Sequence, residues 1–309
     1  MKHAVWAALA LLLITPDARA FSTLNTLGQH AEHEHITRAA LSDFGPRTLD
    51  EIAGAGGSFG AVGAPYNPVR GLLFTSAAHC DNGDYLDFAN YPQTQSEAQA
   101  TLTSCRNWIL RWLNAAVNAS APLADPGAIN TSLGCAFNAT PGRAKCTVLE
   151  DLGVALHASQ DFYSHTNWVD RPTNAAIGPE NPPGLGHNGR APWLDPRQTS
   201  PFPRGLISVC FQSKPETLFC KYGDQGGARV RHLVLNKDDG PIGPNGATGP
   251  GTTMRGALNG NFQRAVAAAI DDTRDKWAYF QERVLATYGP ANGRRILCVV
   301  RSDDRTRCP

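Results

Sequence analysis

Three side chains that bind metals stand four residues apart in the stretch HASQDFYSHTNW: His157, Asp161 and His165. On an α-helix a step of four turns about 400° and rises about 6 Å, so the three form one slowly drifting stripe. His157 and His165 are then about 12 Å apart along the axis, too far to share one ion on a straight helix. A carboxylate between two imidazoles can bridge two ions with its two oxygens, so the spacing suits a multinuclear site. Imidazole and carboxylate without thiolate point to zinc, with manganese or iron as lesser options. The plain alternative is a core helix whose polar residues line up. Burying two imidazoles and a carboxylate without partners costs several kcal/mol, and a metal removes that cost.

The remaining histidines offer partners for the stripe. His33 lies in HAEHEHITRAAL, near the start of a helical pattern. His79 lies in SAAHCDNGDYLD, with Asp81 and Asp84 close behind, and His232 lies in VRHLVLNKDD, with Asp238 after it. His187 stands alone in LGHNGRAPW. Each of the first three has a carboxylate nearby, which fits a metal site better than scattered surface histidines.

These residues need elements to hold them. Helical periodicity is clear over 95–117, 147–164 and 257–287, and apolar spacing suggests a further helix between His35 and Asp43. Residues 53–70, 118–145, 171–228 and 239–252 are rich in Pro and Gly and read as loops. Strand patterns are short, the best being VRHLVL and RILCVV. The reading is a mostly α chain with long ordered loops, one domain over 21–309.

Residues 1–20, MKHAVWAALALLLITPDARA, have a lysine, an apolar run and a small-x-small end. That is the pattern of a secretory signal peptide, so a secreted or periplasmic protein starting at Phe21 is expected. The apolar run is too short for a membrane span, which needs about 20 residues. All eight cysteines follow it, an even number consistent with disulfides. Cys210 with Cys220 and Cys298 with Cys308 would close short loops. The absence of any CxxC argues against a thiolate zinc site. A net charge of +1 argues against a strongly electrostatic nucleic-acid binder or a polybasic membrane anchor.

LHASQDFYSHTNWVD resembles the signature helix of the zinc-dependent phospholipase C and single-strand nuclease superfamily, nearest to its Het-C-like secreted branch. There an H-x3-D-F-x2-H-x-N-W pattern recurs. EHEHITRAAL is similar to that superfamily's H-x2-I-[TV]-x2-A-[LI] helix, and LNKD after a histidine fits the same branch. The resemblance implies a multi-helix domain with up to three zinc ions at the bottom of a cleft. It implies that His157 and His79 hold one ion and that Asp161 bridges it to a second. His33 and the backbone amine and carbonyl of Phe21 would complete that second ion, and His165 and His232 would share the third. Three positions depart from the family pattern, the first being Phe21, where the phospholipases begin with Trp. The acid expected upstream of His79 is absent from Pro65-Tyr66-Asn67, leaving Asp81 or Asp84 as substitutes. The acid expected four residues after His232 is Asn236, with Asp238 two residues later.

The function implied is a secreted phosphodiester hydrolase using two or three zinc ions. Such ions clamp phosphoryl oxygens and lower the pKa of bound water toward about 7. Asp81 or Asp84, if unligated, would orient that water as catalytic residues. With no basic run, a phospholipid headgroup is favoured over single-stranded nucleic acid, with transient contact at a membrane surface. Tyr163, Trp168 and Trp193 would pack against a headgroup or base, or simply fill the core. The competing reading is an exported, non-catalytic Het-C-like effector or recognition protein stabilised by zinc, or a nuclease.

Overall fold

The stretch AKCTVLEDLGVALHASQDFYSH forms a helix over Ala144–His165, buried on nearly every side. A helix without a solvent face must run through the middle of the protein, and the others are arranged around it. The computed structural model describes residues 21, 30–55, 58–125, 132–138, 143–211, 220–222 and 227–309. The expected signal peptide lies outside the described residues.

Among these residues the chain is mostly helical. In order come α1 (Glu32–Ala40), α2 (Pro46–Ala53), α3 (Ser76–His79), α4 (Gln95–Ala119), α5 (Ala144–His165), α6 (His232–Leu235) and α7 (Asn261–Arg301). Two short hairpins, Lys221–Tyr222 with Gly227–Ala228 and Ile242–Gly243 with Gly246–Ala247, are the strand pairs. The second lies inside the Gly- and Pro-rich stretch read as a loop, where Pro244 and Asn245 make the turn. No described helix is long and apolar enough to cross a membrane.

α4 starts at a capping box. The Glu97 amide donates to Thr94 Oγ1 at 3.3 Å, and the Thr94 amide donates to Glu97 Oε2 at 2.8 Å. Ala98, Leu102, Cys105, Ile109, Leu113 and Ala116 recur at helical spacing and are buried, which aims one face of α4 at α5. On another side, α7 contributes Phe262, Ala265, Val266, Ala269 and Phe280 to the same core. Tyr163, Trp168 and Trp193 are all buried in this core. Packing is therefore their observed role, rather than an open ligand platform.

Both expected strands are helical. RILCVV belongs to the second part of α7, which resumes after a break at Gly289 (φ 75°) and Pro290. Glycine takes the left-handed conformation without a Cβ clash, and proline suits the first turn of the new helix because it needs no amide bond. Ile296, Val299 and Val300 are buried at i, i+3 and i+4, so their packing overrides a local β preference. VRHLVL holds only the single turn of α6.

Four disulfides tie the loops down: Cys80–Cys105, Cys135–Cys146, Cys210–Cys220 and Cys298–Cys308. The two short-loop pairs expected from spacing are both present. Cys80–Cys105 fastens α3 to α4, and the chain-entropy account assigns such a 25-residue separation about 3.5 kcal/mol.

α5 also buries a carboxyl pair. Arg70 binds Glu150, while burial and then the negative charge of Glu150 push Asp151 up to about 7. The folded chain therefore holds a proton that the unfolded chain releases near its ordinary value of 3.8. Stability must fall as pH rises between those two values. Asp151→Asn is expected to remove this slope and to raise stability at pH 8 by at most about 4 kcal/mol. Urea unfolding of both proteins at pH 5 and pH 8 checks it, and an unchanged slope would refute the assignment.

Candidate metal centre

Three elements converge on the C-terminal half of α5. α1 supplies His33 from its first turn, and α3 ends on His79. α5 supplies His157, Asp161 and His165 on one stripe, and α6 begins with His232. All these side chains are buried. Gly153 lets a loop approach α5 closely, since a Cβ there would stand 2.2 Å from the Ala61 backbone. That approach delivers the Val62 carbonyl to His157 one turn further on, at 2.8 Å from Nδ1.

The first group surrounds Asp161. Its Oδ1 lies 3.2 Å from His33 Nε2. Its Oδ2 lies 2.9 Å from His79 Nδ1 and 3.1 Å from His157 Nε2. His157 Nε2 and His79 Nδ1 are themselves 3.1 Å apart. The rings of His33 and His157 stack with centroids 4.1 Å apart. So the two oxygens of Asp161 face different histidines, His33 on one side and His79 with His157 on the other.

The tautomers make this arrangement informative. His157 Nδ1 donates to the Val62 carbonyl, and His33 Nδ1 donates to Gln160 Oε1 at 2.7 Å. Gln160 is held in that orientation because its Nε2 donates to Thr37 Oγ1 and Thr273 Oγ1. A neutral imidazole that donates through Nδ1 carries a lone pair on Nε2. His33 and His157 thus turn lone pairs toward carboxylate oxygens, acceptor against acceptor. His33 Nε2 and Asp161 Oδ1 are buried and form no hydrogen bond. A cation between such atoms resolves the conflict. Zinc at its usual bond lengths separates tetrahedral ligands by about 3.3 Å, near the spacings found here.

The second group lies one turn along α5. His165 Nε2 is 3.1 Å from His232 Nε2 and 3.3 Å from Asp238 Oδ1, and His232 Nε2 is 2.9 Å from Asp238 Oδ2. Ser164 donates to Asp238 Oδ1, while Asp238 Oδ2 is buried without a hydrogen bond. His165 Nδ1 donates to the His79 carbonyl at 2.9 Å; Asp81 Oδ1 lies 2.8 Å away, buried and without a hydrogen bond. Its Nε2 is therefore aimed at His232 and Asp238. His33, His157 and Asp161 form one set of atoms that can hold a metal ion; His165, His232 and Asp238 form another.

The charges are strongly coupled. Burial alone would raise Asp161, but the positive charge that His157, His33 and His165 carry when protonated outweighs it and holds the carboxyl well below its ordinary value. Burial, then the neighbouring His33, pushes His157 down to about 3. Burial opposes charge on His165 too, but Asp238, Asp81 and Asp161 outweigh it and raise its pKa well above the ordinary value. Asp238 is lowered by His165 and His232 against its own burial.

Other expected residues lie elsewhere. Asp84 faces Arg229, whose Nε donates to Oδ2 at 3.0 Å, and Tyr91 donates to the same oxygen. The Arg229 guanidinium thus engages both oxygens of Asp84. Asp81 Oδ1 lies 2.8 Å from His165 Nδ1, beside the second group. Asn236 donates toward His232 at its carbonyl and lies 3.3 Å from its Nδ1, leaving the acid's place to Asp238. Phe21 is buried, with its ring edge-on to His33 at 5.8 Å. His187 stacks on Trp168 at 4.0 Å, away from both groups of ligand atoms.

Gln160 and Tyr66 were not anticipated. Gln160 precedes Asp161 in the signature stretch, but only the packing of α1 and α7 against α5 gives it His33 to orient. Tyr66 stands where the upstream acid was sought, and its ring packs near those of His33, His79 and His157, at 6.5, 5.5 and 5.1 Å. No family model, no curated protein and no solved structure matches the chain.

Proposed function

We propose that this protein is a zinc-dependent phosphodiester hydrolase of the phospholipase C type, exported from the cell. The observation that carries the reading is the facing of imidazole lone pairs and carboxylate oxygens around Asp161. His33, His79, His157 and Asp161 would hold one or two zinc ions, and His165, His232 and Asp238 another. When bound, zinc supplies Lewis acidity toward a phosphoryl oxygen and neutralises charge developing there. The chain's own residues do the positioning. The Val62 carbonyl and Gln160 fix the tautomers of His157 and His33, and the His79 carbonyl fixes that of His165. Such partners keep ligands aimed before substrate arrives, and losing one typically costs 10- to 100-fold in metal affinity or activity.

The phospholipid headgroup remains the favoured substrate, since the +1 net charge includes no basic run suited to a polynucleotide. The test is turnover of phosphatidylcholine vesicles, a soluble chromogenic phosphodiester and single-stranded DNA by the zinc-loaded protein. Headgroup release that is lost with chelator and restored by zinc supports the proposal. Cleavage of DNA alone would move it to the nuclease class. One observation favours a second reading, a zinc-stabilised effector without activity: Arg229 engages both oxygens of Asp84, and Asp81 Oδ1 lies against His165 Nδ1. A folded, zinc-loaded protein that turns over none of the three substrates would establish that reading.

A further inference from the structure

The segments that carry His33 and Asp238 also carry a third group of ligand-type side chains, which the proposed reaction does not use. His30 Nδ1 lies 2.6 Å from Asp239 Oδ1 and 3.8 Å from Glu32 Oε1. One ligand atom from each residue lies within 4.8 Å of the others. The Glu32 side chain is fully buried, whereas those of His30 and Asp239 remain 44% and 24% exposed. The group therefore opens to solvent, unlike the two buried around α5.

Its carboxylates are held in place. The Gly240 amide donates to Glu32 Oε1 at 3.1 Å, and the Thr252 hydroxyl donates to Asp239 Oδ2. The Thr252 amide also donates to the Asp239 carbonyl at 2.8 Å, which fixes the turn itself. Asp239 Oδ1 is left facing His30. Between His30 and Glu32, Ala31 adopts the left-handed conformation (φ 49°, ψ 49°). Residues with a Cβ rarely take it, and here it accompanies the approach of His30 to Glu32 across one residue.

We propose that His30, Glu32 and Asp239 form a solvent-accessible site for a divalent transition metal, zinc being the best fit. One imidazole and two carboxylates are ligands suited to zinc, with water completing the shell. Tetrahedral zinc sets its ligands about 3.3 Å apart, so the longer contact contracts and the His30–Asp239 hydrogen bond opens. The half-exposed His30 side chain has room for that movement. The ion would join the start of α1 to the turn at 238–240. Those two segments each contribute one ligand to a different buried group, so the surface ion would hold the two groups in fixed relation.

The experiment is equilibrium dialysis of the full chain against zinc alone, with metal counted by mass spectrometry. The wild-type protein is expected to bind one more zinc per chain than His30→Gln, with circular dichroism confirming that both are folded. Asp161→Asn separates this inference from the buried centre, since it should lose zinc at the first buried group and keep the surface ion. Equal stoichiometry in wild type and His30→Gln would overturn the proposal and leave His30–Asp239 as an ion pair only. Should His30→Gln fail to fold, anomalous scattering from zinc-bound wild-type crystals decides. A peak between His30, Glu32 and Asp239 supports the site, and peaks at the buried groups alone overturn it.

Discussion

Asp161→Asn is expected to abolish zinc binding at the first group and to lower phosphodiester turnover by about 1,000-fold, some 4 kcal/mol of transition-state stabilisation. The substitution keeps shape and removes the charge shared by His33, His79 and His157. Its effect on stability distinguishes two accounts of the site. Were Asp161 simply paired with protonated histidines, the metal-free variant would lose about 3–5 kcal/mol, the usual cost of breaking a buried pair. In the metal-centre account, lone pairs face the carboxylate, and an amide NH2 can donate to one of them. Metal-free Asp161→Asn should then be at least as stable as metal-free wild type. Only the zinc-loaded comparison should favour wild type. Thermal unfolding of both proteins, with zinc and with chelator, gives the four values needed. A large loss in the metal-free pair would sink the metal-centre account.

Stripping metal from the wild-type protein should have the second large effect. A ligand that binds only the folded state adds about 4 kcal/mol when its free concentration is 1,000 times its Kd. With an ion in each buried group, chelation is expected to remove about 8 kcal/mol. The loss should depend on pH. In the metal-free protein His157 is held down to about 3 by burial, against an ordinary value of 6.5. The unfolded chain then binds a proton that the folded chain refuses, so this contribution is fully present above 6.5 and is lost as pH falls toward 3. Zinc competes with the same proton, so its stabilisation should also fade on acidification. Chelator titrations monitored by circular dichroism at pH 5.5 and pH 7.5 measure both effects. An unfolding midpoint that ignores chelator at pH 7.5 would mean that the groups around α5 hold no metal.

Much of this centre was legible in the chain. The four-residue spacing of His157, Asp161 and His165 implied that one ion could not serve both histidines. The structure indeed splits them between two groups. The helical patterns over 95–117 and 147–164 were read within three residues of the bounds of α4 and α5, and that over 257–287 ended at the Gly289 break inside α7, because amphipathic spacing is a local signal. The short cysteine loops were legible for the same reason. RILCVV was misread because β-branched composition is also local, and only contact with the core shows that Ile296, Val299 and Val300 share a helical face.

Other features depended on residues far apart in sequence. The carboxylates near His79 looked equivalent as neighbours, yet Asp81 turns to His165 and Asp84 to Arg229, 145 residues away. Asp238 reaches His165 and His232 although the acid's expected place holds Asn236. The tautomers of His33 and His157 rest on Gln160 and on a loop carbonyl brought in over Gly153. By itself, then, the sequence determined which side chains line α5 and how far apart they stand, because helix geometry converts spacing directly into direction. Which oxygen meets which nitrogen, and which carboxylate is spent on a guanidinium instead, was decided by tertiary packing. Those choices depend on a few ångströms between segments that no local pattern encodes.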